Sequence, residues 1–234
     1  MVLAQLPGNC GEPATARDQA RCADQETEED AIKILLLDVE TSPNIATVWG
    51  IYDQNIAINQ LLESSYLLCY AAKWLDEKEI QWERAYGKRG HYRMGMLRKM
   101  HRLLSAADVV IHYNGKRFDM GVLQKEFLLH GFDQPRPYQQ LDLYQVVKQK
   151  FRFTSSKLDY ICQALKLGGK TKHQGHELWL SCMEDDAKAW TAMRRYNVND
   201  VRIMERLYQR LLPWIKTHPS KSMRKVADML MGES

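Results

Sequence analysis

The segment Leu35-Leu36-Leu37-Asp38-Val39-Glu40-Thr41 ends an apolar run of strand length in two carboxylates one residue apart. Successive side chains of a β-strand point to opposite faces, so Asp38 and Glu40 project from the same one. Like charges side by side repel, and the arrangement is tolerated when something positive neutralises it. Hard dications such as Mg²⁺ select carboxylate oxygen for that role. A metal site is one reading of the pair. A strand that leaves its sheet with two solvated acids at the tip is the other, and this stretch alone leaves both open.

The strand itself is well defined. Residues 31–39 are apolar apart from Lys33 and Asp38, which predicts burial on both faces. Thr41-Ser42-Pro43-Asn44 breaks the run. Residues 47–52, 56–58 and 66–75 are rich in β-branched, aromatic and apolar types, and they predict three short strands forming a largely antiparallel sheet around the first. Residues 80–86 predict one more, followed by the basic turn Gly87-Lys88-Arg89-Gly90. Met94, Leu97, Met100, His101 and Leu104 recur at helical spacing over 91–104. A buried strand follows over 108–113, then a helix over 119–130 closed by Gly131. Helices are expected over 141–150, 156–167 and 185–212. The fold class is α/β, a mixed sheet flanked by helices with a helical C-terminal half.

The 234 residues are 45% hydrophobic and 26% charged, enough for one well-buried domain. No apolar run approaches the ~20 residues of a membrane span, and Met1 to Leu6 has neither a basic flank nor a long apolar segment. The expectation is a cytoplasmic protein, in a host cytoplasm if phage-encoded, with no membrane partner. Five cysteines without close pairing argue against a disulfide framework and a zinc knuckle. Residues 1–30 show no hydrophobic period and hold seven Asp or Glu against two Arg, the pattern of a disordered acidic tail. The expected organisation is this tail, a domain over 31–215, and a tail or short helix over 216–234. The chain carries +4 overall, so the part outside the acidic tail carries +9, which favours a phosphate-rich partner.

Two further stretches bring acids to element ends. In His112-Tyr113-Asn114-Gly115-Lys116-Arg117-Phe118-Asp119 a buried strand runs into a glycine turn and a helix starts at Asp119. An Asp there is equally a dipole partner. In Tyr196-Asn197-Val198-Asn199-Asp200 the phenol and the carboxylate, four apart, share a helix face. Asp38, Glu40, Asp119 and Asp200 on three segments can hold two divalent ions about 4 Å apart, an arrangement that stabilises both attacking and leaving oxygens in an in-line displacement at phosphate. A free tyrosine phenol titrates near ~10, so Tyr196 is suited to orienting the attacking water rather than deprotonating it.

Asp38-x-Glu40, Asn114-x-x-x-Phe118-Asp119 and Tyr196-x-x-x-Asp200 resemble, in order and internal spacing, the three motifs of the DEDD 3′-to-5′ exonucleases. The tyrosine places the resemblance in the subclass that includes the proofreading domains of family B DNA polymerases. Residues 31–212 are also similar to stand-alone, often phage-borne, exonucleases with a ribonuclease H-like fold. The resemblance implies that Asp38, Glu40, Asp119 and Asp200 bind two Mg²⁺ or Mn²⁺ ions, with Tyr196 beside the nucleophilic water. It implies that the neighbourhood of Thr41 holds the terminal nucleotide and that Asn114 and Phe118 contact substrate. The expected activity is release of nucleoside 5′-monophosphates from the 3′ end of single-stranded DNA. RNA trimming at the same site and a non-catalytic nucleic-acid-binding domain that partners a DNA polymerase are the alternatives.

Between the second and third motifs, residues 148–172 hold seven Lys or Arg and one acid, Asp159, with Phe151, Phe153 and Tyr160 interleaved. Lys150, Arg152 and Lys157 are the expected phosphate contacts. Bases can stack on the rings, although Tyr160 reads better as core, and for the two phenylalanines core and platform both stay open. His173-x-x-His176-Glu177 lacks a second ligand pair and is not taken as a zinc site. Asp142 reads as a helix cap, and Trp74, Trp82, Trp179, Trp190 and Trp214 as core.

Overall fold

The computed structural model describes residues 32–169, 171 and 175–215. The acidic segment 1–30, the segment 216–234 and the residues Lys170, Lys172 and His173 lie outside the described residues.

Strand β1 (Ile34–Thr41) takes the central place in the sheet because both of its faces are apolar. Leu35, Leu37 and Val39 enter one core layer and Leu36 enters the other, all four buried. Each fully buried leucine contributes about 2 kcal/mol. β1 pairs antiparallel with β4 (Leu67–Trp74), which is buried along its length up to Trp74, and β4 pairs antiparallel with β5 (Gln81–Arg84). On its other side β1 pairs parallel with β6 (Val109–His112), and β6 with β7 (Gln139–Asp142). The order is β5-β4-β1-β6-β7.

The helices are α1 (Met94–Ala106), α2 (Asp119–Leu129), α3 (Leu143–Lys150), α4 (Leu158–Ala164), α5 (His176–Met183) and α6 (Ala187–Leu211). α1 and α2 cover the face bearing Leu35, Leu37 and Val39, through Leu97, Met100, Leu104, Leu123 and Phe127. α3, α4 and α6 cover the Leu36 face, and α5 joins α6 over Leu68 and Cys69. Two aspartates start helices where an orphan N–H needs an acceptor. Asp142 accepts from Tyr144 N at 3.0 Å and Asp186 from Ala189 N at 2.7 Å. Cys69, Cys162 and Cys182 are buried free thiols. No helix among the described residues is long and apolar enough to cross a membrane.

Several expected elements differ. Residues 47–52 form no strand, and Trp49, Ile51 and Tyr52 stand exposed. Residues 56–58 lead into a single 3₁₀ turn at Ile58–Gln60. Strand composition is a preference for a packed, pleated surface, and residues 47–52 are largely exposed and join no strand of the sheet. A small separate ladder of β2 (Ile45–Ala46) and β3 (Leu61–Glu63) brackets this excursion. The sheet is therefore antiparallel on one side of β1 only. β7 takes Gln139–Asp142, including the first two residues of the helix expected over 141–150, because Leu141 pairs with Ile111 and faces the core. α5 was hidden in an apolar run too short to show a helical period.

β6 pairs with β1 only at Ile34 to Leu36, so Leu37 to Thr41 outrun their parallel neighbour. The result is a notch at the carboxyl end of the parallel strands, where open α/β sheets place ligands. α6 is tied to β4 by an ion pair: Lys73, 8% exposed at its side chain, donates to Glu205 at 2.5 Å. Glu205→Ala leaves a buried ammonium uncompensated, which costs about 3 kcal/mol or more. Thermal denaturation is expected to show a drop of roughly 6–12 °C. The pair Lys73→Met with Glu205→Leu is expected to recover most of it.

Candidate active site

Residues 36, 38 and 40 of β1 share the face that α6 covers, so Asp38 and Glu40 point toward that helix. α6 supplies Asp200, which is 2% exposed. Carboxylate oxygens of Asp38, Glu40 and Asp200 all lie within 4.8 Å of one another. Three hard oxygen donors at this separation form a set that fits a divalent cation and repels itself without one.

The chain holds this trio from behind. Asn197, fully buried one position after Tyr196, donates through Nδ2 to the Asp38 carboxylate at 2.7 Å and to the Asp38 carbonyl at 3.2 Å. Trp179 of α5 donates its indole N–H to Glu40 Oε2 at 3.1 Å. The same indole stacks edge-on against the Tyr196 ring, centroids 5.8 Å apart. Tyr196 is 7% exposed. Trp179 is thus a clamp on the site, where the sequence reads it as core. Nothing in the sequence pairs it with a residue 139 positions away. Asn197 did carry a signal, since it is a polar residue on the apolar stripe of Met193, Val201 and Met204.

Asp119 stands apart from the trio. It opens α2, whose Met120, Leu123 and Phe127 go to the opposite core layer, so it approaches from the sheet's end rather than from the α6 face. Its carboxylate packs against Gly115, where a Cβ would collide with it and would sit 2.7 Å from the His112 ring. Glycine is required there for space. Burial pushes the Asp119 carboxyl up to about 7, and the Asp142 carboxylate nearby pushes the same way. A dication beside it acts in the opposite sense.

Asp142 does more than cap α3. Its Oδ1 also accepts from Asn114 N at 2.7 Å and its Oδ2 from Lys116 N at 3.4 Å, which fixes the turn between β6 and α2. Asn114 sits in that turn at φ +64. Beneath it His112 is fully buried, its pKa lowered by burial, with Nδ1 3.6 Å from Asp142 and Nε2 3.3 Å from Gln140. The sequence marks Asp142 only as a cap, because its second set of bonds is to backbone groups 26 and 28 residues earlier.

The remaining expected substrate residues divide. A cavity of about 610 Å³ opens from Asp38 and is lined by Tyr113, Asn114, Tyr144, Lys148 and Lys157. Thr41 ends β1 beyond a break in register after Glu40. Phe118 is 56% exposed, with the Arg117 guanidinium over its ring. Lys150 and Arg152 are exposed and do not line that cavity, whereas Lys148 does. Phe151 and Phe153 pack on each other and Phe151 on Trp214, and both phenylalanines are half-buried beside the core. Tyr160, expected in the core, is 40% exposed, and Trp214 is 58% exposed.

A family model described as RNase_H superfamily matches residues 35–212, most of the chain. A search of curated protein sequences returns no match. Among solved structures, the family B DNA polymerase from the hyperthermophilic archaeon Pyrobaculum calidifontis is similar, with a TM-score of 0.58 and 16% sequence identity. The similarity covers 79% of this chain and 25% of that one, so this chain spans about a quarter of the polymerase. The family model spans residues 35–212, well over half of the chain, and the mixed sheet of β5-β4-β1-β6-β7 flanked by helices agrees with it: the chain belongs to the RNase H superfamily.

Proposed function

We propose that this protein is a 3′-to-5′ exonuclease that hydrolyses the terminal phosphodiester bond of single-stranded DNA with two divalent cations, Mg²⁺ or Mn²⁺. The observation that carries the proposal is the convergence of Asp38, Glu40 and Asp200 within 4.8 Å, beside a cavity lined by two lysines. Superfamily membership supports a nuclease, and the similar polymerase supports the same fold. A non-catalytic relative would have no reason to keep three mutually repelling carboxylates together.

Asp38, Glu40 and Asp200 are the proposed ligands of the cations, with Asp119 completing the set. Bound there, the cations supply Lewis-acid stabilisation of charge developing on the phosphate oxygens. The residues of the chain do the rest. Asn197 and Trp179 keep Asp38 and Glu40 in one rotamer each. The Tyr196 phenol orients the attacking water. Lys148 and Lys157 attract the phosphates behind the 3′ end, while Asn114 and Thr41 border the terminal nucleotide. Water oxygen bonds to phosphorus as the bond to the preceding 3′ oxygen breaks. That oxygen leaves with a proton, giving a shortened strand and a nucleoside 5′-monophosphate.

Strands labelled at the 3′ or the 5′ end, as DNA and as RNA, incubated with Mg²⁺, Mn²⁺ or chelator, test the proposal. The expected outcome is immediate release of the 3′ label as mononucleotide, a 5′-labelled ladder that shortens with time, faster turnover of DNA than RNA, and no reaction with chelator. Asp38→Ala is expected to slow the reaction by about 10³-fold or more with its circular dichroism unchanged. A near-normal rate in that variant sinks the assignment.

Tyr196→Phe removes only the hydroxyl and leaves the ring on Trp179. A loss of roughly 10- to 100-fold in kcat is expected for a misplaced water. A loss as large as that of Asp38→Ala would show that the phenol does more than orient.

A further inference from the structure

A second cleft, of about 630 Å³, lies between the turn at residues 76–80 and the outer face of α6. Its lining includes Lys78, Arg194, Arg195 and Arg202 over a floor of Ile80 and Val198, with Glu79 as the one acid. At 100° per residue, Arg195, Val198 and Arg202 fall on the side of α6 opposite Tyr196 and Asp200. The cleft and the carboxylate trio are therefore back to back on one helix.

Other cations on or facing this side of the domain are committed. Arg84 pairs with Asp185, Lys73 with Glu205, and Arg206 donates to the Leu167 carbonyl. Lys78, Arg194, Arg195 and Arg202 have no ion-pair partner among the described residues. Arg194 lies over the Trp82 ring at 5.9 Å, which restrains its guanidinium without neutralising it. Like charges gathered in a concave, partly apolar site focus a positive potential. Guanidinium forks match phosphate oxygens.

We propose that this cleft is a second contact for the phosphodiester backbone, engaging the strand several nucleotides behind the 3′ end. The proposal rests on the exonuclease reading, because the same helix presents the reacting residues on its other face. Half the circumference of α6, about 10–12 Å across with its side chains, takes about five nucleotides of a stacked strand at ~3.4 Å each, so a strand of fewer nucleotides falls short of the cleft.

The test uses full-length Asp38→Ala protein, which keeps strands intact, with and without Arg194→Gln, Arg195→Gln and Arg202→Gln together. Fluorescence anisotropy measures binding of single-stranded DNA of 4 and of 15 nucleotides across a salt series. For the 15-mer the triple substitution is expected to weaken binding about tenfold or more and to reduce the slope of log K against log salt by about 2, near 0.7 per lost contact. For the 4-mer the slopes coincide. Arg98→Gln with Arg102→Gln, exposed charges on α1, serves as the control and leaves the 15-mer slope unchanged.

Equal 15-mer slopes with and without the triple substitution overturn the cleft while leaving the exonuclease reading in place. An equal fall in the α1 control also overturns it, since the effect would then be diffuse charge. A parent protein that binds neither strand overturns the exonuclease reading and the cleft with it.

Discussion

Three carboxylates within 4.8 Å oppose one another by at least about 3 kcal/mol per pair at an effective dielectric of ~20. Much of the architecture around them is directed at enduring that repulsion. β1 is anchored by leucines on both faces, so the strand cannot recoil. Asn197 and Trp179 each donate a hydrogen bond to one acid from behind. α6, which brings the third acid, is pinned to the sheet by the buried Lys73–Glu205 pair. The fold therefore invests stability in an arrangement that a bound cation would relieve.

The sheet's register explains why the site is where it is. β1 runs past β6, whose chain turns away at Asn114 under the control of Asp142. The notch left behind exposes Asp38 and Asn114 to one cavity and lets Lys148 and Lys157, from a different segment, line its far side. Backbone geometry alone thus brings carboxylates and lysines to one opening. Asp119 reaches the same end of the sheet from the other layer, which is why it sits apart from the trio.

How much of this was legible depended on the distance over which the physics acts. The central strand, the acid pair on one face, α1 and α6 follow from local periodicity, which the chain carries in adjacent residues. The acids and the tyrosine were legible because their spacing within each motif is local too. Trp179 and the second role of Asp142 were not, because both depend on contacts across 26 to 139 positions. The exposed stretch around Trp49 misled for the opposite reason: its residues suit a sheet, and the fold offers them no partner. Phe151 and Phe153 read as core or as surface from sequence alone, and their half-buried packing beside the core depends on a contact with Trp214 that lies 63 positions away.

Whether the carboxylates of Asp38, Glu40 and Asp200 gather to hold divalent cations is read most directly from an anomalous difference map of crystals soaked in Mn²⁺. Two manganese peaks in contact with these carboxylates, one of them also touching Asp119, are predicted, and both are lost in Asp38→Ala with Asp200→Ala. A map without manganese at the trio, from crystals that bind it elsewhere, would contradict the account.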